Sequence, residues 1–427
     1  MSTRARAVDS DKIWACLITN ASYLPGLLTL NFSLRRVGSK YPLVALHTGF
    51  LPDETLDALQ RRDIPLQQVP FLFPGSSPEP EPSSPPPDFD GIISSSSSSQ
   101  TNGTTATHHA KQASSSSSGS NTSNTTKGWY ANDPRFRDCF TKLSVLSLEG
   151  SYARVVLLDA DMLVLRNMDE LFDSNTLELD ENRKRVFAAV HACTCNPLRL
   201  KHYPRDWVKE NCAFTALEKE MERWRGAENK VDKKLEREGK GKQGQQQQND
   251  SGLELQRGDN SNDTYTSDDD DDDDDAAAAA GDDIPSQNDV PGMGMLNSGL
   301  LVLRPNKAVY KSIVDYLRSD RATAPNLPFA EQSLLGELFR GQWVALPWVY
   351  NGLKTMRWKE VHVGLWSDQE VKNIHFILTP KPWELNKKEV DALEDGPDRW
   401  WWEVDAERRR WEAERRIGRE LNRINCS

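Results

Sequence analysis

Long apolar runs are absent from this sequence. No uninterrupted apolar stretch approaches the length of about 20 residues that a membrane-spanning helix requires. Residues 1–12 are polar and contain no secretory signal pattern. We therefore expect a chain without a membrane span that resides in the cytoplasm.

Basic clusters and cysteines are also scarce. The net charge is −11, and the eight acids of Asp268–Asp275 supply most of it. Because no basic stripe is present, a nucleic-acid partner is not expected. Six cysteines in 427 residues are too few and too scattered for a disulfide scaffold.

Two segments contain few apolar side chains. Residues 75–127 are dominated by Ser, Pro, Thr, Asn and Gly, and residues 225–290 by Lys, Glu, Gln, Asn and Asp. Neither segment can bury enough apolar surface to compensate for the entropy of ordering, so we predict disorder in both. The rest of the chain is long enough for one large domain.

The remaining chain alternates between predicted strands and helices. The opening elements are the strand Ile13–Thr19, the helix Tyr23–Val37, the strand Leu43–His47, the helix Asp53–Arg62 and the short strand Gln67–Val69. This alternation predicts an α/β fold with a mostly parallel, Rossmann-like central sheet.

The same pattern continues beyond residue 127. We predict helices over Phe140–Leu148, Val309–Arg318 and Phe329–Phe339, and strands over Val155–Leu158, Val186–Val190, Leu300–Leu303 and Ile374–Leu378. A single domain would cover residues 11–384, interrupted by insertions 75–127 and 225–290. A Trp/Arg/Glu-rich helical tail over 385–427 would pack its tryptophans back on this domain.

Two acidic residues directly follow a predicted buried strand. Val155–Leu158 form a continuous apolar run, and Asp159 and Asp161 come next. Ligands of parallel α/β sheets bind beyond the carboxyl ends of the strands, and two carboxylates there can hold a divalent cation that neutralises a diphosphate. Aspartates are also common in simple turns, so the pair alone is weak evidence.

The surroundings of this pair resemble the metal-binding core of glycosyltransferase family 8, which includes glycogenin and galactinol synthase. Residues 153–172 carry the resemblance, supported by four motifs in the family's order: Leu17–Tyr23, Phe140–Leu143, Met295–Val302 with Phe329–Ser333 and Leu346–Asn351, and His375–Trp383. The resemblance implies a nucleotide-diphospho-sugar transferase domain of GT-A type. It also implies Mn²⁺ or Mg²⁺ as cofactor and a UDP-sugar as donor.

The resemblance assigns roles to individual residues. The metal ligands would be Asp159, Asp161 and His375. The residues binding the donor would be Leu17, Thr19, Asn20, Tyr23, Lys142, Asp159, Ala160, Asp161, Asn351 and Lys381. The residues around the reacting sugar would be Lys142, Asn297, Ser298, Glu331 and Gln332.

Two positions depart from the family pattern. Glu331 stands where the family commonly has Asp, and Leu378 stands where relatives often have Gly three residues after the histidine. An alternative function is therefore a catalytically impaired protein that binds nucleotide sugars or acts as a scaffold.

The preferred function is metal-dependent transfer of a hexose from a UDP-sugar to an acceptor hydroxyl with retention of configuration, as the resemblance implies. The acceptor could be a small polyol, a saccharide or a protein. No tyrosine lies between Arg357 and His375, which disfavours a self-glucosylating starter. The sequence leaves the possibility of a homodimer open.

A second group of metal-ligand residue types lies in the middle of the chain. His191, Cys193, Cys195 and Cys212 invite a zinc hypothesis, but their spacing fits no standard zinc motif. We prefer the interpretation that they are small buried side chains on the acceptor side.

Overall fold

The computed structural model describes residues 6–74, 138–173, 185–201, 203–223, 294–322 and 327–417. The predicted insertions 75–127 and 225–290 lie outside these residues. The chain forms two compact units. The first comprises Met1–Val190, Ser298–Gly352 and Lys372–Ser427, and the second comprises His191–Asn297 and Leu353–Val371.

A seven-stranded sheet is the framework of the first unit. Its order is β3-β2-β1-β4-β7-β6-β8, and its strands are β1 (Lys12–Leu17), β2 (Leu43–His47), β3 (Leu66–Gln68), β4 (Arg154–Leu158), β6 (Phe187–His191), β7 (Leu296–Leu303) and β8 (Trp343–Leu346). Four of the strand pairs, β1–β2, β2–β3, β1–β4 and β6–β8, are parallel, whereas β7 runs antiparallel to β4. The predicted α/β class with a mostly parallel sheet is confirmed.

The register of the central strands places their carboxyl ends at one edge. Cys16 of β1 is paired with Leu158 of β4, and Leu17 is paired with Leu46 of β2. The side chains of Val155 to Leu158 are fully buried, as predicted for a strand covered on both faces. The residues that follow β1 and β4 therefore meet at the same edge of the sheet.

The helices follow the predicted periodicity closely. They are α1 (Leu24–Arg36), α2 (Asp53–Gln60), α3 (Lys307–Arg318), α4 (Ala330–Leu338), α5 (Lys387–Asp391) and α6 (Pro397–Glu414). The helix predicted over Phe140–Leu148 is instead a 3-10 helix over Cys139–Leu148. Eight of its ten residues are buried, so packing from all sides sets its geometry rather than a single apolar stripe.

A smaller three-stranded sheet has the order β5-β10-β9, formed by β5 (Met162–Val164), β10 (Asn373–His375) and β9 (Gly352–Leu353). The strand predicted over Ile374–Leu378 therefore ends at His375. Leu378 has a φ of 71°, which is incompatible with a strand.

The tryptophan-rich tail helix α6 packs on α1 and contacts Arg62, which follows α2. Trp401 is fully buried, and Asp405 accepts a hydrogen bond of 2.8 Å from the hydroxyl of Thr29. Glu412 forms a buried ion pair of 2.9 Å with Arg62. Trp401 thus packs back on the domain, whereas the bounds of the tail, 385–427, stay a prediction.

The second unit is described over residues 191–201, 203–223, 294–297 and 353–371. It contains a helical segment over 213–223 and short 3-10 turns over Lys209–Asn211 and Lys354–Arg357. Nowhere in the described part of the chain does a helix combine the length and apolar character that a membrane crossing requires.

Candidate metal and donor site

Antiparallel pairing of β5 with β10 brings a distant histidine to the acidic pair. β4 ends at Leu158, and β5 begins directly after Asp161. In the register of the small sheet, His375 is paired with Met162. The backbone N–H of Phe376 also donates to the carbonyl oxygen of Asp161 at 2.9 Å. Asp159, Asp161 and His375 thus converge at the sheet edge.

The three side chains have the geometry of an incomplete metal shell. His375 Nε2 lies 3.4 Å from Asp161 Oδ1 and 3.9 Å from Asp159 Oδ2. One ligand atom from each residue lies within 4.8 Å of the other two. Two carboxylates and one imidazole suit Mn²⁺ or Mg²⁺, with positions left for phosphate oxygens.

The orientation of the imidazole supports this interpretation. His375 Nδ1 lies 3.0 Å from Asn351 Oδ1, and because an amide oxygen only accepts, Nδ1 carries the hydrogen. In the neutral ring the lone pair of Nε2 then points toward the two carboxylates. The two carboxylates and Nε2 are then three acceptors that face one another, and a cation among them would satisfy all three. The contact of Nδ1 with Asn351 is the kind of outer hydrogen bond that typically orients a metal-binding histidine.

Gly299 is required by the position of this ring. A Cβ at Gly299 would lie 2.4 Å from His375 Cε1 and 2.9 Å from Met162 Cε. Real side chains do not approach so closely, so only glycine permits β7 to pass directly beneath the imidazole. The backbone of β7 therefore approaches the ring closely at Gly299.

Two buried lysines contact the acidic pair, Lys142 at Asp159 and Lys381 at Asp161. Lys142 Nζ lies 2.9 Å from Asp159 Oδ1, 2.8 Å from Glu331 Oε1 and 3.1 Å from the carbonyl oxygen of Ser298. Lys381 Nζ lies 2.6 Å from Asp161 Oδ2 and donates to the carbonyl oxygen of Phe376 at 2.7 Å.

These contacts act differently on the two aspartates. Burial raises the pKa of Asp159, Lys142 opposes the rise, and the charge of Asp161 adds to it. Burial also acts to raise the pKa of Asp161, but the charge of Lys381, joined by the His375 ring when that ring is protonated, outweighs burial and holds this pKa well below its usual range. Burial acts against the charge of Lys142, but Asp159 and Glu331 prevail and keep its pKa above the usual range.

The balance of formal charge favours a bound cation. Three carboxylates, those of Asp159, Asp161 and Glu331, face the two ammonium groups of Lys142 and Lys381. With a neutral imidazole the cluster is left with one net negative charge in a buried setting. A divalent cation bound there would offset this negative charge.

Two of the residues predicted around the reacting sugar, Ser298 and Glu331, contact Lys142, and Gln332 contacts Ser298. The hydroxyl of Ser298 donates to Glu331 Oε1 at 2.8 Å, and the backbone N–H of Ser298 donates to Gln332 Oε1 at 3.4 Å. Glu331 is only 5% exposed, so its longer side chain is anchored rather than free. Asn297 precedes Ser298 in β7 and is half-buried.

The predicted nucleotide-binding residues follow β1 at the same edge. Leu17 and Thr19 are half-buried, and the Asn20 side chain accepts from the N–H of Ser22 at 2.9 Å, which caps the turn. Tyr23 packs edge-on against Trp383, with ring centroids 5.8 Å apart.

Ala160 lies against the first turn of α1. A Cβ on Gly26 would meet the Ala160 carbonyl oxygen at 2.4 Å and the ring of Trp383 at 2.7 Å. Trp383 was not among the predicted site residues, although it belongs to the motif that supplied Lys381. The signal that could have identified Trp383 as a site residue was an aromatic side chain two residues after Lys381.

A family model matches part of this chain. Residues 275–387 match the model described as "Glycosyl transferase family 8". The matched part that the structure describes contains Ser298, Glu331, Asn351, His375 and Lys381, but the two aspartates and Lys142 lie before it.

Curated relatives are similar over a limited length. Galactinol synthase 1 of Ajuga reptans is 29% identical over 126 residues, which is 28% of this chain and 35% of the relative. Galactinol synthase 6 of Arabidopsis thaliana is 34% identical over 95 residues, covering 22% of this chain and 26% of the relative. The matches thus span about a third or less of these relatives.

Two solved structures that are similar to this chain are those of glycosyltransferases. The glycosyltransferase GlyE of Streptococcus pneumoniae gives a TM-score of 0.44 at 12% identity, covering 96% of this chain and 64% of that one. The galactosyltransferase LgtC, solved with donor and acceptor sugar analogs, gives 0.43 at 9% identity, covering 92% and 95%. These TM-scores are below 0.5, so the two structures say nothing about the roles of individual residues in this chain.

Proposed function

From the confirmed resemblance of this chain to glycosyltransferase family 8, we propose that it is a metal-dependent, retaining hexosyltransferase that uses a UDP-sugar. The observation that supports this most is the convergence of Asp159, Asp161 and His375 at the carboxyl edge of a parallel sheet. Neither the donor nor the acceptor follows from the family alone, so both are part of the proposal.

Asp159, Asp161 and His375 would hold the cation. When bound, Mn²⁺ or Mg²⁺ supplies charge neutralisation to the diphosphate of the donor. Lys381 and Lys142 add two buried positive charges beside it, where negative charge develops on the departing UDP. Tyr23 offers a flat aromatic surface for the base, together with Leu17, Thr19 and Asn20.

The transfer step exchanges one bond for another at the anomeric carbon. The bond between C1 and the β-phosphate oxygen breaks, and C1 forms a bond to the acceptor oxygen on the same face. The leaving phosphate takes the acceptor's proton, so UDP and the glycoside are the products. Ser298, Glu331 and Gln332 form a connected polar group that would orient sugar hydroxyls.

No covalent intermediate is included in this proposal. Glu331 is the one acid among the residues predicted around the reacting sugar, but it is already engaged by Lys142 and Ser298. A carboxylate that is paired twice is a poor nucleophile, whereas it is well suited to fix the position of Lys142.

We place the acceptor in the class of small polyols. The two curated relatives described above are named galactinol synthases, and the resemblance to that branch implies an inositol-type hydroxyl acceptor. A saccharide or a protein acceptor is the alternative within the same chemistry.

The test is a panel of nucleotide sugars incubated with the full chain, Mn²⁺ and inositol, with released UDP and the product mass as readouts. We expect turnover with one UDP-hexose, and a loss of at least about a hundredfold in Asp159→Asn combined with Asp161→Asn. Asp57→Asn is the matched control, because Asp57 is an exposed residue of α2 paired only with Arg61 among the contacts described.

A catalytically impaired binder is the competing function, and two observations favour it. Glu331 is held in an ion pair, and Leu378 occupies a left-handed backbone conformation close after His375. UDP-sugar binding without turnover for every donor and acceptor would support that function and contradict the transferase.

A further inference from the structure

We propose that Cys193, Cys195, Cys212 and His362 form a second metal centre, a structural zinc site in the second unit. The four side chains each contribute one ligand atom, and these atoms lie within 4.8 Å of one another. All four residues belong to the second unit, so this centre is separate from the Asp159–Asp161–His375 cluster of the first.

The distances agree with tetrahedral coordination. His362 Nε2 lies 3.4 Å from Cys193 Sγ, 3.2 Å from Cys195 Sγ and 3.4 Å from Cys212 Sγ. With Zn–S bonds of about 2.3 Å and a Zn–N bond of about 2.0–2.1 Å, tetrahedral geometry requires S···N separations of about 3.5 Å. One nitrogen nearly equidistant from three sulfurs is the arrangement that a shared central ion imposes.

The outer contacts of His362 match those of a metal-binding imidazole. Its Nδ1 lies 3.1 Å from Glu218 Oε2, which fixes the hydrogen on Nδ1 and leaves Nε2 for the ion. The ring of Phe214 packs edge-on at a centroid distance of 5.5 Å. The His362 side chain is fully buried, so its position is set by packing as well as by the carboxylate.

Neither a disulfide nor simple packing accounts for the cluster as well as a metal ion does. The three cysteines are free, and a disulfide between two of them would leave the third sulfur and the imidazole without a common partner. Ordinary packing of small buried side chains does not require three sulfurs to surround one nitrogen. The donor set is also chemically distinct from the first site, since thiolates select zinc over the Mn²⁺ or Mg²⁺ that carboxylates prefer.

The zinc hypothesis was the less preferred interpretation of the sequence, and it contained three of these four residues. His191 was grouped with the cysteines because it is close in sequence, but the histidine of the cluster is His362. The preferred interpretation as small side chains of the acceptor side is thereby replaced. Because His362 lies 150 residues after Cys212, the spacing of the ligands along the chain matches no standard zinc motif.

Four protein ligands close the coordination shell, which is typical of a structural rather than a catalytic zinc. The ligands come from three separate segments: the residues after β6, the residue directly before the helical segment 213–223, and the residues after the turn Lys354–Arg357. An ion there would join these segments in a unit whose described elements are short. Metal binding would then contribute directly to the folding of this unit.

The first test is elemental analysis of the full chain purified without chelator. We expect about one zinc per chain in the wild type and a large loss in Cys195→Ser. Cys16→Ser is the matched control, because Cys16 is a buried free cysteine of β1 in the first unit. Absence of zinc from the wild type, or full zinc retention in Cys195→Ser, would overturn the proposal.

A second test does not depend on the variant folding. Wild-type protein, stripped and reloaded with Co²⁺, should show the intense thiolate-to-cobalt charge-transfer absorption of a tetrahedral sulfur-rich site. A spectrum without thiolate bands would contradict the assignment. Glu218→Gln should retain the site but weaken zinc affinity about 10–100-fold, as measured by competition with a chelator. Both readouts are independent of sugar transfer, so the zinc site and the transferase can fail separately.

Discussion

His375 depends on its neighbours for a defined position. Asn351 holds Nδ1, Gly299 leaves room for the ring, and β10 fixes the backbone through its pairing with β5. Each of these contacts sets the orientation of the imidazole and leaves its charge unchanged. Substitutions at these positions should therefore change metal affinity without removing a ligand.

Asn351→Ala removes the acceptor of the Nδ1 hydrogen. We expect Mn²⁺ affinity to fall about 10–100-fold, because the ring loses the hydrogen bond that fixes its tautomer and orientation. Isothermal titration calorimetry with Mn²⁺ measures this. The matched control is Asn306→Ala, which removes the N-cap of α3 and should cost about 1 kcal/mol of stability while leaving Mn²⁺ affinity unchanged. Equal affinities in wild type and Asn351→Ala would refute the orienting role.

Gly299→Ala places a methyl group where the imidazole lies. Since the new Cβ would be 2.4 Å from His375 Cε1, the ring must move and Mn²⁺ binding should be lost or strongly weakened. Gly49→Ala serves as control, because its new Cβ would meet only the flexible end of Gln68, at 3.1 Å. Paramagnetic resonance of free Mn²⁺ distinguishes the two variants, and tight binding by Gly299→Ala would show that the ring is not a ligand.

Leu378 occupies a backbone conformation that favours glycine. Its φ of 71° strains a side chain with a Cβ, most of all a β-branched one. We expect Leu378→Gly to change the free energy of unfolding by no more than about 1 kcal/mol, because relief of strain opposes the entropy that glycine loses. Leu378→Val should be clearly destabilising. Chemical denaturation of both variants gives the order, and greater stability of the valine variant would exclude strain at this position.

At the scale of elements, α6 is held by a buried network of charges. Asp405 is fully buried and contacts Thr29 at 2.8 Å, Arg408 at 2.6 Å and Arg409 at 2.6 Å. Arg408 in turn pairs with Glu412 at 2.7 Å. The packing of α6 on the domain thus depends on the pairing of all these buried charged groups as well as on the burial of Trp401.

Asp405→Ala should destabilise the fold by about 3–5 kcal/mol, because it leaves the buried Arg408 with an incomplete set of partners. Thermal unfolding followed by circular dichroism tests this. Glu403→Ala, on the exposed side of the same helix, should stay within about 0.5 kcal/mol of wild type. A similar small effect for both substitutions would mean that the network does not hold the helix.

Elements with a strong local pattern could be predicted from the sequence. Val155–Leu158 form a continuous apolar run, and the structure has them in the centre of the sheet. Asp159 and Asp161 were recognisable because they follow such a strand directly. Helices α1 and α3 were predicted within a few residues of their bounds, since their apolar positions repeat with helical spacing.

Features that depend on tertiary pairing could not be predicted. Nothing in residues 373–378 indicates that β10 pairs with β5 in a second sheet, or that it ends at His375. No local pattern indicates the contacts of Lys142 with Ser298 and Glu331 either, because those residues lie far away in sequence and only the family resemblance grouped them. His362 was missed for the same reason.

At the scale of the whole molecule, two kinds of metal chemistry are assigned to two parts of the chain. Hard carboxylate oxygens and one imidazole lie in the first unit, and three sulfurs with one imidazole lie in the second. The first set suits a cation that binds and releases with substrate, and the second suits an ion that stays with the fold. Mn²⁺ dependence and zinc content are accordingly expected to be independent properties.

The most direct measurement is anomalous diffraction at the manganese edge from crystals of the full chain grown with Mn²⁺ and UDP. We predict one manganese peak about 2.0–2.3 Å from carboxylate oxygens of Asp159 and Asp161 and from Nε2 of His375, with the diphosphate on its open side. A peak away from these three side chains, or UDP bound at the sheet edge with no metal beside them, would contradict the proposed transferase site.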